Sequence, residues 1–141
     1  MHLFIAVFLS VLLICPQTSI FAKNQSTEQK AEEEIYIPLN LEDAIRQLKV
    51  IISSDDLEKI KMTSEADVIG LYHFGLGTGL RNSWRLWGDS RLSKWFNSIE
   101  IFHAEDMSGI IIISLHRNLN DKLIKLEEQV SSVRQFWEQI E

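Results

Sequence analysis

Residues 105–119 read EDMSGIIIISLHRNL, and the fold class turns on whether they form a strand or a helix. Four isoleucines at 110–113 favour a strand locally, because β-branched side chains suit a pleated surface and lose χ1 freedom in a helix. A helix explains the whole segment better. Glu105 and Asp106 stand where acids meet the positive end of a helix dipole, and His116, when protonated, is favourable near the negative end. A single strand would have no partner to pair with. Isoleucines on all sides of such a helix predict a central, buried element.

The flanking segments agree with an all-α reading. Asn40 is a capping residue with Asp43 three positions on, and Leu41, Ala44, Ile45, Leu48 and Ile52 follow at helical spacing. Ser53 or Ser54 before Asp55 and Asp56, and Ser64 before Glu65 and Asp67, start two further helices. Asp89 or Ser90 caps a short one through Phe96. Asn120-Asp121 breaks the chain after Leu119. Residues 126–140 form a last amphipathic helix with Leu126, Val130, Val133, Trp137 and Ile140 on one face. Only residues 35–38 look extended. The expected fold is a small all-α bundle of about five or six helices, without internal repeats.

The chain has 141 residues, enough for one domain. Its formal net charge of −6 disfavours a general nucleic-acid binder. The single Cys15 rules out an intramolecular disulfide framework and a cysteine metal cluster. Charge is unevenly spread: none of the 14 Lys+Arg or 20 Asp+Glu falls in the first 22 residues. Residues 3–14 form an apolar run, broken by Ser10 and too short at ~1.5 Å per residue to cross a bilayer core of ~30 Å. Pro16 and polar residues then interrupt it. The pattern fits a secretory signal peptide over residues 1–22, cleaved after Ala22. Cys15 leaves with it, and no stable membrane span remains. Two alternatives stay open: an uncleaved anchor running through Pro16, and lipidation at Cys15. The run LLIC resembles a bacterial lipoprotein box, although Ile14 stands where that pattern needs a small residue. Residues 23–34, KNQSTEQKAEEE, read as a disordered polar linker, leaving 35–141 as the domain.

Residues 70–95 carry the most information. Gly70, Gly75, Gly77 and Gly79 fall within GLYHFGLGTGL. In a helix each costs roughly 1 kcal/mol relative to alanine. Either close helix approach at the Gly75/Gly79 pair offsets this, or the segment is a loop. GLGTG lacks the ending of a phosphate loop, and no strand precedes it. If helical, His73, Gly77 and Arg81 share a face, with room for an anionic group between imidazole and guanidinium. Residues 81–95, RNSWRLWGDSRLSKW, hold Arg81, Arg85, Arg91 and Lys94 against the single Asp89, a net +3; as the whole chain carries −6, the rest carries −9. Trp84, Trp87 and Trp95 lie in the same strip. Arginine stacks on indole and forms bidentate bonds to carboxylate or phosphate. The candidate ligand-binding residues are His73, Arg81, Asn82, Trp84, Trp87 and Arg91. The opposing interpretation is that the tryptophans are core and the arginines pair with helix acids.

A second polar cluster is His103, Asp106 and His116. His103 and His116 flank one helix roughly 20 Å apart, so they cannot share a metal while it is intact. Ser108 is the one candidate nucleophile. No HExxH or GxSxG motif is present, and no catalytic residue, metal or cofactor is expected.

The string YHFGLGTGLRNSWRLWGDSRLSKWF, followed by HAEDMSGIIIISLHRNLN and IKLEEQ, resembles a family of uncharacterised bacterial proteins across about residues 36–137. This chain has Ala104 where the family often has proline, and Asp121 where glycine is common. The resemblance implies a bacterial, stand-alone domain of unknown function and brings no activity with it. The sequence expectation is therefore an exported, non-enzymatic binding module of the cell envelope, periplasmic or secreted. It would hold an acidic protein or an anionic glycan or envelope component on its Trp/Arg strip, without nucleic acid. The alternatives are a small envelope hydrolase built on the His/Asp residues, and a purely structural domain.

Overall fold

In the computed structural model, which describes residues 35–140, the isoleucine run is a helix and everything else packs round it. The segment Ala104–Leu119 (α6) buries Met107, Ile110, Ile111, Ile112 and Leu115. It touches every other helix. Before it come α1 (Leu41–Ile51), α2 (Ser54–Met62), α3 (Glu65–Tyr72), a π-helical turn (His73–Gly77), α4 (Thr78–Ser83) and α5 (Arg91–Ser98); α7 (Leu126–Glu138) follows. Because α3, the π turn and α4 run on without a break, the bundle comprises six rods. No strand occurs among the described residues; 35–38 are extended but unpaired. The signal peptide, Cys15 and the linker lie outside the described residues. No helix among the described residues is long and apolar enough to cross a membrane.

The predicted caps operate. The Asn40 side chain accepts from the Asp43 amide at 2.9 Å, and Ser53, Ser64 and Ser90 cap α2, α3 and α5 the same way. Each satisfies an amide that has no partner inside its helix. Ala104, at the first position of α6, occupies a site that also suits proline. Asp121 takes φ 54°, the left-handed conformation that glycine adopts freely, so the turn after α6 keeps a glycine geometry.

The π turn has a packing reason. At about 100° per residue, Val68 and Leu80 would point roughly 120° apart on a regular α-helix. One extra residue in the turn takes up about 100° of that difference. Both side chains are buried. The close approach to α6 is at Gly77, not at the Gly75/Gly79 pair expected from the sequence. A Cβ on Gly77 would lie 3.4 Å from the Tyr72 carbonyl oxygen and 3.6 Å from Ile112 Cδ1, whereas Gly75 and Gly79 face open space.

Candidate functional site

The Trp/Arg strip divides into an inward and an outward half. Trp84, 3% exposed, is a core side chain and cannot touch a partner, which corrects its place in the predicted contact surface. Arg81 is also buried, at 5%. Its Nη1 donates to Ser108 Oγ at 2.8 Å, and its Nη2 donates to Thr78 Oγ1 at 3.1 Å and the His73 carbonyl at 3.3 Å. Nε has no partner. Every acceptor is neutral.

The predicted anion seat between His73, Gly77 and Arg81 is not open. A Cβ on Gly77 would come within 3.0 Å of Arg81 Nη1, so the guanidinium itself fills the space above the glycine. His73 meets Arg81 through its backbone only. Its ring lines a different cleft, between α6 and α7. Ser108, fully buried, accepts from Arg81 and donates to the Glu105 carbonyl, so it is a packing hydroxyl with no path to a substrate.

The outward half consists of Asn82, Arg85, Trp87, Arg91 and Lys94. Trp87 is 60% exposed, and the Arg81 guanidinium carbon sits 5.8 Å from its ring centroid. Arg91 stacks 4.7 Å over the Tyr36 ring and donates through Nε to the Ile37 carbonyl. Arg85 is exposed and takes φ 50°. A long side chain in that region costs of order 1–2 kcal/mol. A groove of about 680 Å³, lined by Ile35, Tyr36, Arg85, Asp89 and Arg91, runs beside these groups.

Asp43, which stands three residues after the Asn40 cap, holds Tyr36 in this groove's wall from behind. It accepts from Tyr36 Oη at 2.7 Å, the Leu39 amide at 2.9 Å and Arg46 Nη2 at 2.6 Å. The Leu39 amide bond, with Tyr36 and Arg46, holds its carboxyl below the usual range despite burial. Tyr36 is thereby pinned where Arg91 can stack on it. Neither Tyr36 nor Arg85 was among the predicted site residues. The signal for Arg85 was present in the charge count, while Tyr36 reaches the site only through the fold.

Ion pairing of the arginines, though not of the lysines, separates the strip from the rest of the domain. Outside it, Arg46 pairs with Asp43, Arg117 with Glu65 at 2.6 Å, and Arg134 with Glu100. Inside it, Lys94 holds Asp89 at 3.1 Å, and none of Arg81, Arg85 and Arg91 has a carboxylate partner among the described residues.

The second predicted cluster converges only in part: His103 and Asp106 meet on Trp137, and His116 lies apart from both. His103 is exposed and stacks on Trp137 with centroids 4.0 Å apart, and the Trp137 indole donates to Asp106 Oδ2 at 2.8 Å. His116 is buried at the far end of α6, its Nε2 2.8 Å from the Thr63 carbonyl and its Nδ1 4.0 Å from Glu65. No hydrogen bond joins His73, His103 or His116 to Asp106 or to one another among the described residues. Glu65, a residue the sequence reading treated as a helix-start acid, instead ties α3 to α6; hydrogen bonds from Arg117 Nε and Nη2 to one of its oxygens draw its pKa down. Among the described residues no group of three or more His, Cys, Asp or Glu is arranged to hold a metal ion.

No curated protein and no solved structure matches this chain. One family model does, over residues 37–119, from the extended segment through α6 and stopping short of α7. That match spans more than half of the sequence, and the chain belongs to the family described as a domain of unknown function, DUF6794.

Proposed function

We propose that this protein is an exported, non-enzymatic binding module of the bacterial cell envelope. It holds an anionic partner, an acidic protein or an anionic glycan, against the outward half of the Trp/Arg strip. One observation carries the reading: among the described residues, the three arginines outside the strip are ion-paired and the three inside it are not. A chain of net charge −6 has ample carboxylates to neutralise them. Arg85 and Arg91 present donors at the surface, suited to carboxylate, sulfate or phosphate oxygens. Trp87 adds an apolar face beside them, and Arg81 beneath supports that ring. Export rests on the uncharged, apolar first 22 residues; N-terminal sequencing of the mature protein from fractionated cells checks it, with Lys23 expected first.

The binding test uses a residue whose loss cannot be confused with unfolding. Arg85 sits at φ 50°, so Arg85→Gly relieves backbone strain and should raise stability by up to about 1 kcal/mol. The same variant should lose at least tenfold in affinity for an immobilised anionic polysaccharide such as dextran sulfate, as should Trp87→Ala. A stable Arg85→Gly protein that binds as well as the parent would refute the reading.

A further inference from the structure

The chain enters the domain along the wall of its own candidate site. Ile35, Tyr36 and Ile37 line the groove beside the Trp/Arg strip, opposite Arg85 and Arg91. Ile35 and Tyr36 are left 60% and 48% exposed there. Residues 1–34 precede this entry, and the last two of them, Glu33 and Glu34, are acids joined directly to Ile35.

Charge and position both favour these two acids as occupants of the groove. Arg85 is exposed, and Arg91 spends Nε on the Ile37 carbonyl, which leaves its two Nη groups as donors among the described residues. The one acid in the wall, Asp89, is held by Lys94 at 3.1 Å. Residues 35–38 are extended, and in extended backbone alternate side chains share a side at intervals of about 7 Å. Continued by two residues, that alternation sets Glu34 on the Tyr36 side, where the Arg91 guanidinium stacks at 4.7 Å, and Glu33 on the Ile35 side. So short a tether holds a carboxylate at an effective concentration of about millimolar or above.

We propose that Glu33 and Glu34 close over this groove and pair with Arg85 and Arg91, as a tethered competitor for the anion that the strip holds. The consequence for binding rests on the reading of the strip as an anion site; the contact itself does not. Exposed ion pairs are individually weak, so the two acids lower affinity without abolishing it. A ligand carrying several closely spaced anions displaces both at once, whereas a single carboxylate does not. The strip thereby discriminates in favour of dense polyanions.

The test compares the full chain with two double variants of equal net charge. Glu33→Gln with Glu34→Gln removes the tethered acids. Glu105→Gln with Glu138→Gln removes two acids of α6 and α7, neither of which lines the groove. In the free proteins, the Nε–H signals of Arg85 and Arg91 should shift in the first variant and stay in place in the second. Affinity for dextran sulfate should rise in the first by about three- to tenfold, the size of two exposed ion pairs, and by clearly less in the second. Equal gains in the two variants would reduce the effect to net-charge repulsion and overturn the proposal. Arginine signals that ignore the first variant but move on dilution would give the groove to a second copy of the chain and overturn it as well. If the parent fails to bind dextran sulfate, the strip reading falls, and the arginine signals alone uphold or overturn the contact.

Discussion

At the residue scale, Arg81 departs furthest from ordinary packing. A buried guanidinium normally has a carboxylate, because desolvating its charge costs several kcal/mol. Here it has three neutral oxygens and a bare Nε. Arg81→Met keeps the volume of the stem and removes the charge. Its unfolding free energy in urea should therefore lie within about 1 kcal/mol of the parent or above it, while the affinity conferred by Trp87 falls. The glycines give a second contrast. Gly77→Ala sets a methyl 3.0 Å from Arg81 Nη1, so the guanidinium held by Ser108 must shift, and should cost about 1–3 kcal/mol. Gly79→Ala, in open space on the same rod, should gain up to about 1 kcal/mol. The sequence marked these glycines as a cost in need of an explanation and named the wrong pair. The choice depends on which side of the rod meets α6, and that phase is set by the π turn.

At the element scale, α7 is held by a few specific contacts. Val130 is buried, Gln129 reaches Ser114, and Trp137 both stacks on His103 and donates to Asp106. Trp137→Phe keeps a ring for the stack and removes the indole N–H. It should cost about 1.5–3 kcal/mol, the usual range for a hydrogen bond to a charged group, and speed amide exchange in residues 133–138 before any change in α1 or α3. The helices themselves were readable from their caps and apolar spacing: Asn40, Ser53, Ser64 and Ser90 begin them where expected, and residues 110–113 were correctly placed in a buried helix. Trp137 was legible only as an apolar position, because a spacing argument sees the ring and not the N–H at its edge. The proposed contact surface was half legible for a related reason. Charge counting located the strip, but two buried residues in it, Arg81 and Trp84, separate from exposed Trp87 only once α4 ends and the chain turns at Arg85.

At the scale of the whole molecule, acid should unfold this domain through two carboxylates. Asp43 ties the extended segment to α1, and Glu65 ties α3 to α6; both are held below their ordinary values of 3.8 and 4.5. The unfolded chain therefore binds protons at these sites before the folded one does. Their contribution is complete above about pH 4.5 and is lost as the pH falls through the lower, folded values. Thermal melts from pH 7 down to pH 3 should show Tm steady at first and then falling. Asp43→Asn and Glu65→Gln should each lower the neutral-pH Tm and flatten the acid limb. A limb unchanged in the double variant would place acid sensitivity elsewhere.

The π turn also bears on how this chain can vary. A single-residue deletion between 73 and 77 removes the residue that the turn accommodates and leaves a regular α-helix. Val68 and the leucine now at position 80 would then stand eleven residues apart, about 20° on such a helix, so that leucine stays in the core and the strip keeps its faces. Residues 73–77 thus act as a length buffer for the strip that follows. A one-residue deletion within α4 has no such buffer and should turn every later residue of that rod by about 100°.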